Sequence, residues 1–123
     1  MNKILIVDDE EKVRKLVEIT LSIGKVEILQ ASSGEEGLKI ARETKPDIIL
    51  LDVMMPGRFD GFDVCKLLKE DHATSDICII MLTAKGQKTD IEKGLALGAD
   101  DYFVKPFSPM ELMEKIEKVL AEK

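Results

Sequence analysis

The chain has 123 residues, 45% of them hydrophobic and 34% charged, which is one domain's worth of folding chain and excludes a disordered polar polymer. Eighteen Lys and Arg against twenty-four Asp and Glu give a formal net charge of −6, which argues against non-specific binding to nucleic acid or an anionic membrane. The longest apolar run, Ile77–Leu82, is far short of a bilayer span, no signal-peptide pattern is visible in residues 1–5, and two cysteines, Cys65 and Cys78, are too few for a disulfide framework. The expectation is one cytoplasmic domain over residues 1–123.

Five short apolar runs alternate with five segments of helical spacing. Ile4–Val7 is the first run. Behind it Val13, Leu16, Val17, Thr20 and Leu21 recur at the spacing of one helix face. Val26–Leu29 is the second run. Ser33 then supplies a helix N-cap, with Glu35 and Glu36 in the first turn. Gly37, Leu38 and Ala41 mark that helix, which ends before Pro46 because the residue preceding a proline is biased out of the helical region. Ile48–Leu51 is the third run, and Phe62, Val64, Cys65, Leu67 and Leu68 form the third helical set. Ile77–Leu82 is the fourth run. Ile91, Leu95 and Ala96 follow it, closed by Gly98 at the place of a left-handed C-cap residue. Tyr102–Val104 is the fifth run, and Ser108-Pro109 opens a last helix carrying Leu112, Met113, Ile116, Val119 and Leu120.

Runs that are almost continuously apolar and rich in Ile and Val read as strands buried on both faces. Strict alternation of strand and helix predicts an α/β fold, a doubly wound parallel sheet with helices on both faces.

In such a sheet ligands bind outside the carboxyl ends of the strands. Strand one ends in Asp8-Asp9-Glu10, strand three in Asp52, strand four in Thr83-Ala84 and strand five in Lys105-Pro106. Three aspartates, a hydroxyl and an ammonium therefore converge on one edge. Two unit charges 4 Å apart cost about 4 kcal/mol at an effective dielectric of 20. A hard divalent cation offsets that cost, and oxygen-only ligands suit Mg²⁺; Lys105 can neutralise part of the charge. The competing reading is that Asp8 or Asp9 caps the first helix. A carboxylate beside Mg²⁺ can attack a phosphoryl group and form an aspartyl phosphate, a reaction that needs in-line positioning and neutralised equatorial oxygens. Asp52 is the best nucleophile candidate because it stands alone at the end of the central apolar strand. Asp8 and Asp9 read as the metal platform, with Lys105 and Thr83 on the remaining phosphoryl oxygens.

The ordered set Ile6-Val7-Asp8-Asp9-Glu10, Pro46-Asp47 through Leu51-Asp52-Val53-Met54-Met55-Pro56-Gly57, Asp60-Gly61, Met81-Leu82-Thr83-Ala84 and Gly98-Ala99-Asp100-Asp101-Tyr102-Phe103-Val104-Lys105-Pro106-Phe107 resembles the receiver domain of two-component response regulators over the whole chain. The resemblance implies a flavodoxin-like (βα)5 fold with strand order 2-1-3-4-5 and a cis Lys105–Pro106 bond. It implies Asp52 as phosphoacceptor, with Mg²⁺ held by Asp8, Asp9, Asp52 and the backbone carbonyl of Met54. Thr83 and Lys105 would contact the phosphoryl group, and Tyr102 would be the aromatic switch that follows Thr83. Met54 and Lys85 would tune phosphoryl lifetime.

The donor implied is the phosphohistidine of a sensor histidine kinase, docking on Arg14, Lys15 and Glu18 of the first helix and on the Phe107–Pro109 loop. Output would pass through the face formed by the fourth helix, fifth strand and fifth helix. There Lys93, Asp100, Asp101, Glu111 and Lys115 resemble the dimerising face of receivers joined to winged-helix DNA-binding domains, with an ordinary solvated face as the other reading. Such a domain is a signalling switch and not an enzyme, although it assists its own phosphorylation and dephosphorylation.

The chain departs from the family pattern in the Arg58-Phe59 loop, which carries one residue more than expected. Arg58 either reaches the phosphoryl group or is solvated; Phe59 either covers part of the site or packs on the third helix. His72 reads as a loop residue, and the two cysteines as small hydrophobes. The alternatives are a degenerate receiver serving as a constitutive interaction module, a receiver excised from a DNA-binding transcription regulator, and a phosphohydrolase with an aspartyl intermediate. The hydrolase is disfavoured because position 54 is Met and not a second acid. A flavin carrier is disfavoured by the acidic first loop.

Overall fold

The computed structural model describes residues 2–22, 24–84 and 87–122. Strands and helices alternate strictly: β1 (Asn2–Val7), α1 (Glu11–Leu21), β2 (Val26–Ala31), α2 (Gly34–Thr44), β3 (Ile48–Asp52), α3 (Gly61–Glu70), β4 (Cys78–Ala84), α4 (Lys88–Ala96), β5 (Asp101–Lys105) and α5 (Pro109–Ala121). The strands form one parallel sheet in the order β2-β1-β3-β4-β5. This is the flavodoxin-like arrangement that the sequence resembles.

Period-two alternation along each strand divides the core between the two sheet faces. Leu5, Val7, Ile49, Leu51, Ile79 and Met81 pack with Leu38 and Ala41 of α2 and with Val64, Cys65 and Leu68 of α3. Ile4, Ile6, Ile48, Leu50, Ile80, Leu82 and Phe103 pack on the opposite face with Val17 and Leu21 of α1 and with Leu112 and Ile116 of α5. The three inner strands are therefore apolar on both sides, which is why their sequences run without alternation.

The punctuation is as expected. Ser33 Oγ accepts from the Glu36 amide at 3.2 Å and Ser108 Oγ from the Glu111 amide at 3.1 Å, with Pro109 in the first turn of α5. Gly98 adopts φ +107 just after α4, a conformation open to glycine at little cost. Lys45 leaves α2 in the left-handed region ahead of Pro46. One signal went unread: Asp60 and Asp63 form a reciprocal capping box at the start of α3. Ile77, part of the fourth apolar run, sits buried just before β4 and not within it. His72 lies in an exposed turn after α3. Cys65 is buried and Cys78 half-buried. Burial pushes the Cys65 thiol up to about 11 against the lowering influence of Lys69, which suits an inert core group. No helix among the described residues is long and apolar enough to cross a membrane.

Candidate functional site

Asp8 follows β1 and Asp52 ends β3, so the parallel pairing of these strands sets the two carboxylates side by side at the carboxyl edge. Asp8 is fully buried, Asp52 is 6% exposed, and Asp9 faces solvent. One carboxylate oxygen of each residue lies within 4.8 Å of the others. Neither Asp8 nor Asp9 occupies the N-cap position of α1. That position is Glu10, which makes no side-chain cap hydrogen bond. Instead Asp8 Oδ1 accepts from the Glu10 amide at 2.9 Å.

Lys105, at the end of β5, reaches across to this cluster. Its Nζ lies 2.7 Å from Asp8 Oδ2, 3.4 Å from Asp52 Oδ1 and 3.6 Å from Glu10 Oε1. The Lys105–Pro106 bond is cis. Burial draws the Lys105 ammonium down, but its hydrogen bond to Asp8 and the charge of Asp52 outweigh that and hold it above its usual value. One cation cannot balance three carboxylates. Burial, followed by the charge of Asp8, raises Asp52 to about 7 despite the lowering influence of Lys105; Asp9 adds to the rise. A cluster of hard oxygen donors with excess negative charge fits a divalent cation of the magnesium type.

The backbone beneath Asp52 is fixed by α3. The Gly61 amide donates to Val53 O at 3.0 Å, and a Cβ at position 61 would stand 2.1 Å from Asp52 O. Only glycine lets the helix start sit this close to the strand end. Met54, two residues after Asp52, is 70% exposed between the buried Val53 and Met55.

Thr83 is fully buried, and its Oγ1 donates to Phe103 O at 3.3 Å. Met81 pairs with Tyr102 and Thr83 with Val104, so Thr83 and Tyr102 lie on the same face of neighbouring strands. Tyr102 is 39% exposed. Lys85 lies outside the described residues.

The extra-residue loop is tied to the start of α2. Phe59 packs on the core beside α2, where its amide donates to Glu35 Oε1 at 3.2 Å. The core cluster it joins includes Phe62, Val64, Cys65 and Leu68 of α3 as well as Leu38 and Ala41 of α2. Arg58 is exposed and stacks over the Phe59 ring at 5.1 Å.

Two contacts were missed from sequence. Glu10 shares Lys105, and its place in the acidic run was the available signal. Arg14 Nη1 donates to Asp8 O at 2.7 Å, so this residue is half-buried and turned inward. It was expected on the exposed side of α1, where Lys15 and Glu18 do lie. Phe107, also expected at the surface, is buried against Phe103. A shallow cavity of about 320 Å³ opens beside Lys105, walled by Glu10, Val13, Leu16, Ala84, Pro106 and Phe107.

Sheet order and edge chemistry together define a receiver. The chain belongs to the response regulator receiver domain family, whose pattern matches residues 4–117, and it is a signalling domain of two-component systems. It is 51% identical over 118 residues to the probable transcriptional regulator ycf27 of Porphyra purpurea, covering 96% of this chain and 47% of that one. It is 45% identical over 117 residues to the phosphate regulon transcriptional regulatory protein PhoB of Pseudomonas aeruginosa, covering 95% and 51%. Among solved structures, the chemotaxis response regulator CheY4 of Vibrio cholerae superposes with a TM-score of 0.89 at 34% identity, covering 97% of this chain and 98% of that one. The chain spans about half the length of the curated relatives it matches.

Proposed function

We propose that this chain is a phosphorylation-driven signalling switch whose phosphoacceptor is Asp52. The observation that carries this is the buried Asp52 carboxylate, held within 4.8 Å of Asp8 and Asp9 and 3.4 Å from the Lys105 ammonium. An Asp52 oxygen attacks the phosphorus of a phosphohistidine on a sensor histidine kinase. The P–N bond breaks, its electron pair leaves with the imidazole, and the imidazole takes up a proton. Asp8, Asp9, Asp52 and the Met54 carbonyl hold Mg²⁺, which when bound supplies charge neutralisation for the transferring group. Lys105 and the Thr83 hydroxyl take phosphoryl oxygens. The domain is a phosphoacceptor and not an enzyme with a turnover substrate.

Thr83 gives up Phe103 O to reach the phosphoryl group, which frees space on the face it shares with Tyr102. Tyr102 turns inward, and the surface made by α4, β5 and α5 changes. On that surface Lys115 Nζ pairs with Asp101 at 2.8 Å, while Asp100 pairs with Lys69 at 2.9 Å. A homodimer through this face must compete with these internal pairs. The kinase docks on α1 and the β5–α5 loop, where the cavity beside Lys105 offers an apolar shelf. Residues 1–123 act as one cytoplasmic receiver domain that binds neither nucleic acid nor membrane itself, consistent with the charge of −6. The output is transcriptional control, as the names of the relatives suggest.

The test is incubation with Mg²⁺ and acetyl phosphate followed by intact mass. One phosphoryl adduct is expected in the wild-type chain and none in Asp52→Asn or in the presence of a chelator. Adduct formation by Asp52→Asn overturns the assignment. No adduct in any sample favours the degenerate module, and steady release of phosphate from many monoesters favours the hydrolase.

A further inference from the structure

We infer that Arg14 is a positioning residue for the Asp8–Asp9 turn, held to that task by Gln30 and Glu18; the inference rests on the magnesium site proposed above.

Every polar atom of Asp8 has a partner. Its amide donates to Ala31 O at 3.1 Å, Oδ1 accepts from the Glu10 amide, and Oδ2 accepts from Lys105. The remaining acceptor, the backbone carbonyl, takes the Arg14 Nη1 at 2.7 Å. From the helix side the turn is otherwise restrained only through the Glu10 backbone, since the Glu10 side chain makes no cap bond. The peptide plane that begins at Asp8 C=O carries the Asp9 amide. Fixing that carbonyl therefore fixes the backbone from which the Asp9 side chain leaves. Asp9 is the exposed one of the three carboxylates and the one most in need of such support.

Arg14 is itself oriented. Its Nε donates to Gln30 Oε1 at 3.3 Å, and Gln30 Nε2 donates to Glu18 Oε2 on the next turn of α1. Gln30 stands in β2 opposite Ile6 of β1, so the guanidinium plane is referenced to the sheet. A planar fork can serve two acceptors at once; a lysine ammonium at the end of a flexible stem cannot reproduce both directions.

The charge of Arg14 makes the idea separable from simple electrostatics. A cation beside a divalent-ion site weakens binding of that ion, so removing it for charge reasons alone tightens magnesium binding. Positioning predicts the opposite sign. The experiment is calorimetric titration of the full chain with MgCl2, run on wild type, Arg14→Ala, Arg14→Lys and Gln30→Met, each checked for cooperative melting. We expect the magnesium dissociation constant to rise about tenfold in Arg14→Ala, the low end of the range for residues that orient metal ligands. Arg14→Lys should recover part of the loss. Gln30→Met keeps the guanidinium and its charge, and should weaken binding about twofold by loosening Arg14. If Arg14→Ala does not fold, Arg14→Lys and Gln30→Met carry the test. Unchanged or tighter binding in the folded variants overturns the inference and leaves the proposed function standing. No magnesium binding by the wild-type chain overturns both.

Discussion

Lys105 is committed to Asp8 more closely than to Asp52: its Nζ lies 2.7 Å from the first carboxylate and 3.4 Å from the second. The asymmetry leaves Asp52 buried, next to Asp8, and only partly compensated. Those are the conditions that raise its proton affinity. A nucleophile with unspent negative charge is the chemical consequence, and the site has a measurable pH signature.

That signature follows from linkage. A carboxyl raised to about 7 in the folded chain binds a proton more tightly there than in the unfolded chain, where its value is 3.8. Ionisation of Asp52 therefore opposes folding. The stability this group contributes is fully present below about pH 4 and is lost as pH rises to about 7. In chelator-treated buffer, urea unfolding should show Asp52→Asn more stable than wild type by about 1–3 kcal/mol at pH 8. The gap should narrow toward pH 4.5. An equal difference at both pH values contradicts the electrostatic origin.

Gly61 sits where a Cβ would come within 2.1 Å of Asp52 O and 2.8 Å of Val53 Cα, both backbone atoms. Gly61→Ala must push α3 away from the end of β3. We expect about 2–4 kcal/mol of destabilisation by urea unfolding. A loss under 1 kcal/mol, on the order of a surface change, means the helix start yields freely.

Thr83 and Tyr102 share one face of β4 and β5, and Tyr102 is the chain's sole tyrosine in a sequence without tryptophan. Its emission therefore reports on the proposed switch. Acetyl phosphate with Mg²⁺ should shift that emission in wild type and not in Thr83→Ala. The variant should lose only about 1 kcal/mol of stability, since it gives up a single buried hydrogen bond. An equal emission change in both proteins removes Thr83 from the switch.

Met54 stands two residues after Asp52 with its apolar side chain exposed between two buried neighbours. Such a group obstructs the approach of water to a phosphorylated Asp52. Met54→Asn should shorten the phosphoryl lifetime several-fold, read by adduct decay in intact mass. An unchanged lifetime counts against this role.

Much of the architecture could be read from residues alone. Ile48–Leu51 and Ile77–Leu82 lack alternation because each faces a helical layer on both sides, and that pattern names a parallel sheet. The order of the strands could not be read this way, since buried strands look alike; it came from the family resemblance. Convergence of Asp8, Asp9, Asp52 and Lys105 was legible because parallel strands all end at one edge. The loops were harder. Phe59 turned toward α2 because Glu35 offers an acceptor to its amide, a partner 24 positions away that no local pattern indicates. Arg14 read as a surface residue because helical spacing places it on a polar face. Its inward turn depends on a backbone carbonyl, which carries no sequence label. The Asp60–Asp63 capping box carries a weak sequence signal, because it uses two aspartates where the common form has Ser or Thr followed by Glu or Gln.

The claim that matters most is that Asp52 carries the phosphoryl group as an acyl phosphate. Borohydride reduces an acyl phosphate of aspartate to homoserine, leaving a permanent mark on the chain. After treatment with Mg²⁺ and acetyl phosphate, reduction and peptide mass mapping should find homoserine at position 52 and nowhere else. Homoserine at Asp8 or Asp9, or none at any position despite a phosphoryl adduct in the intact mass, would contradict the account.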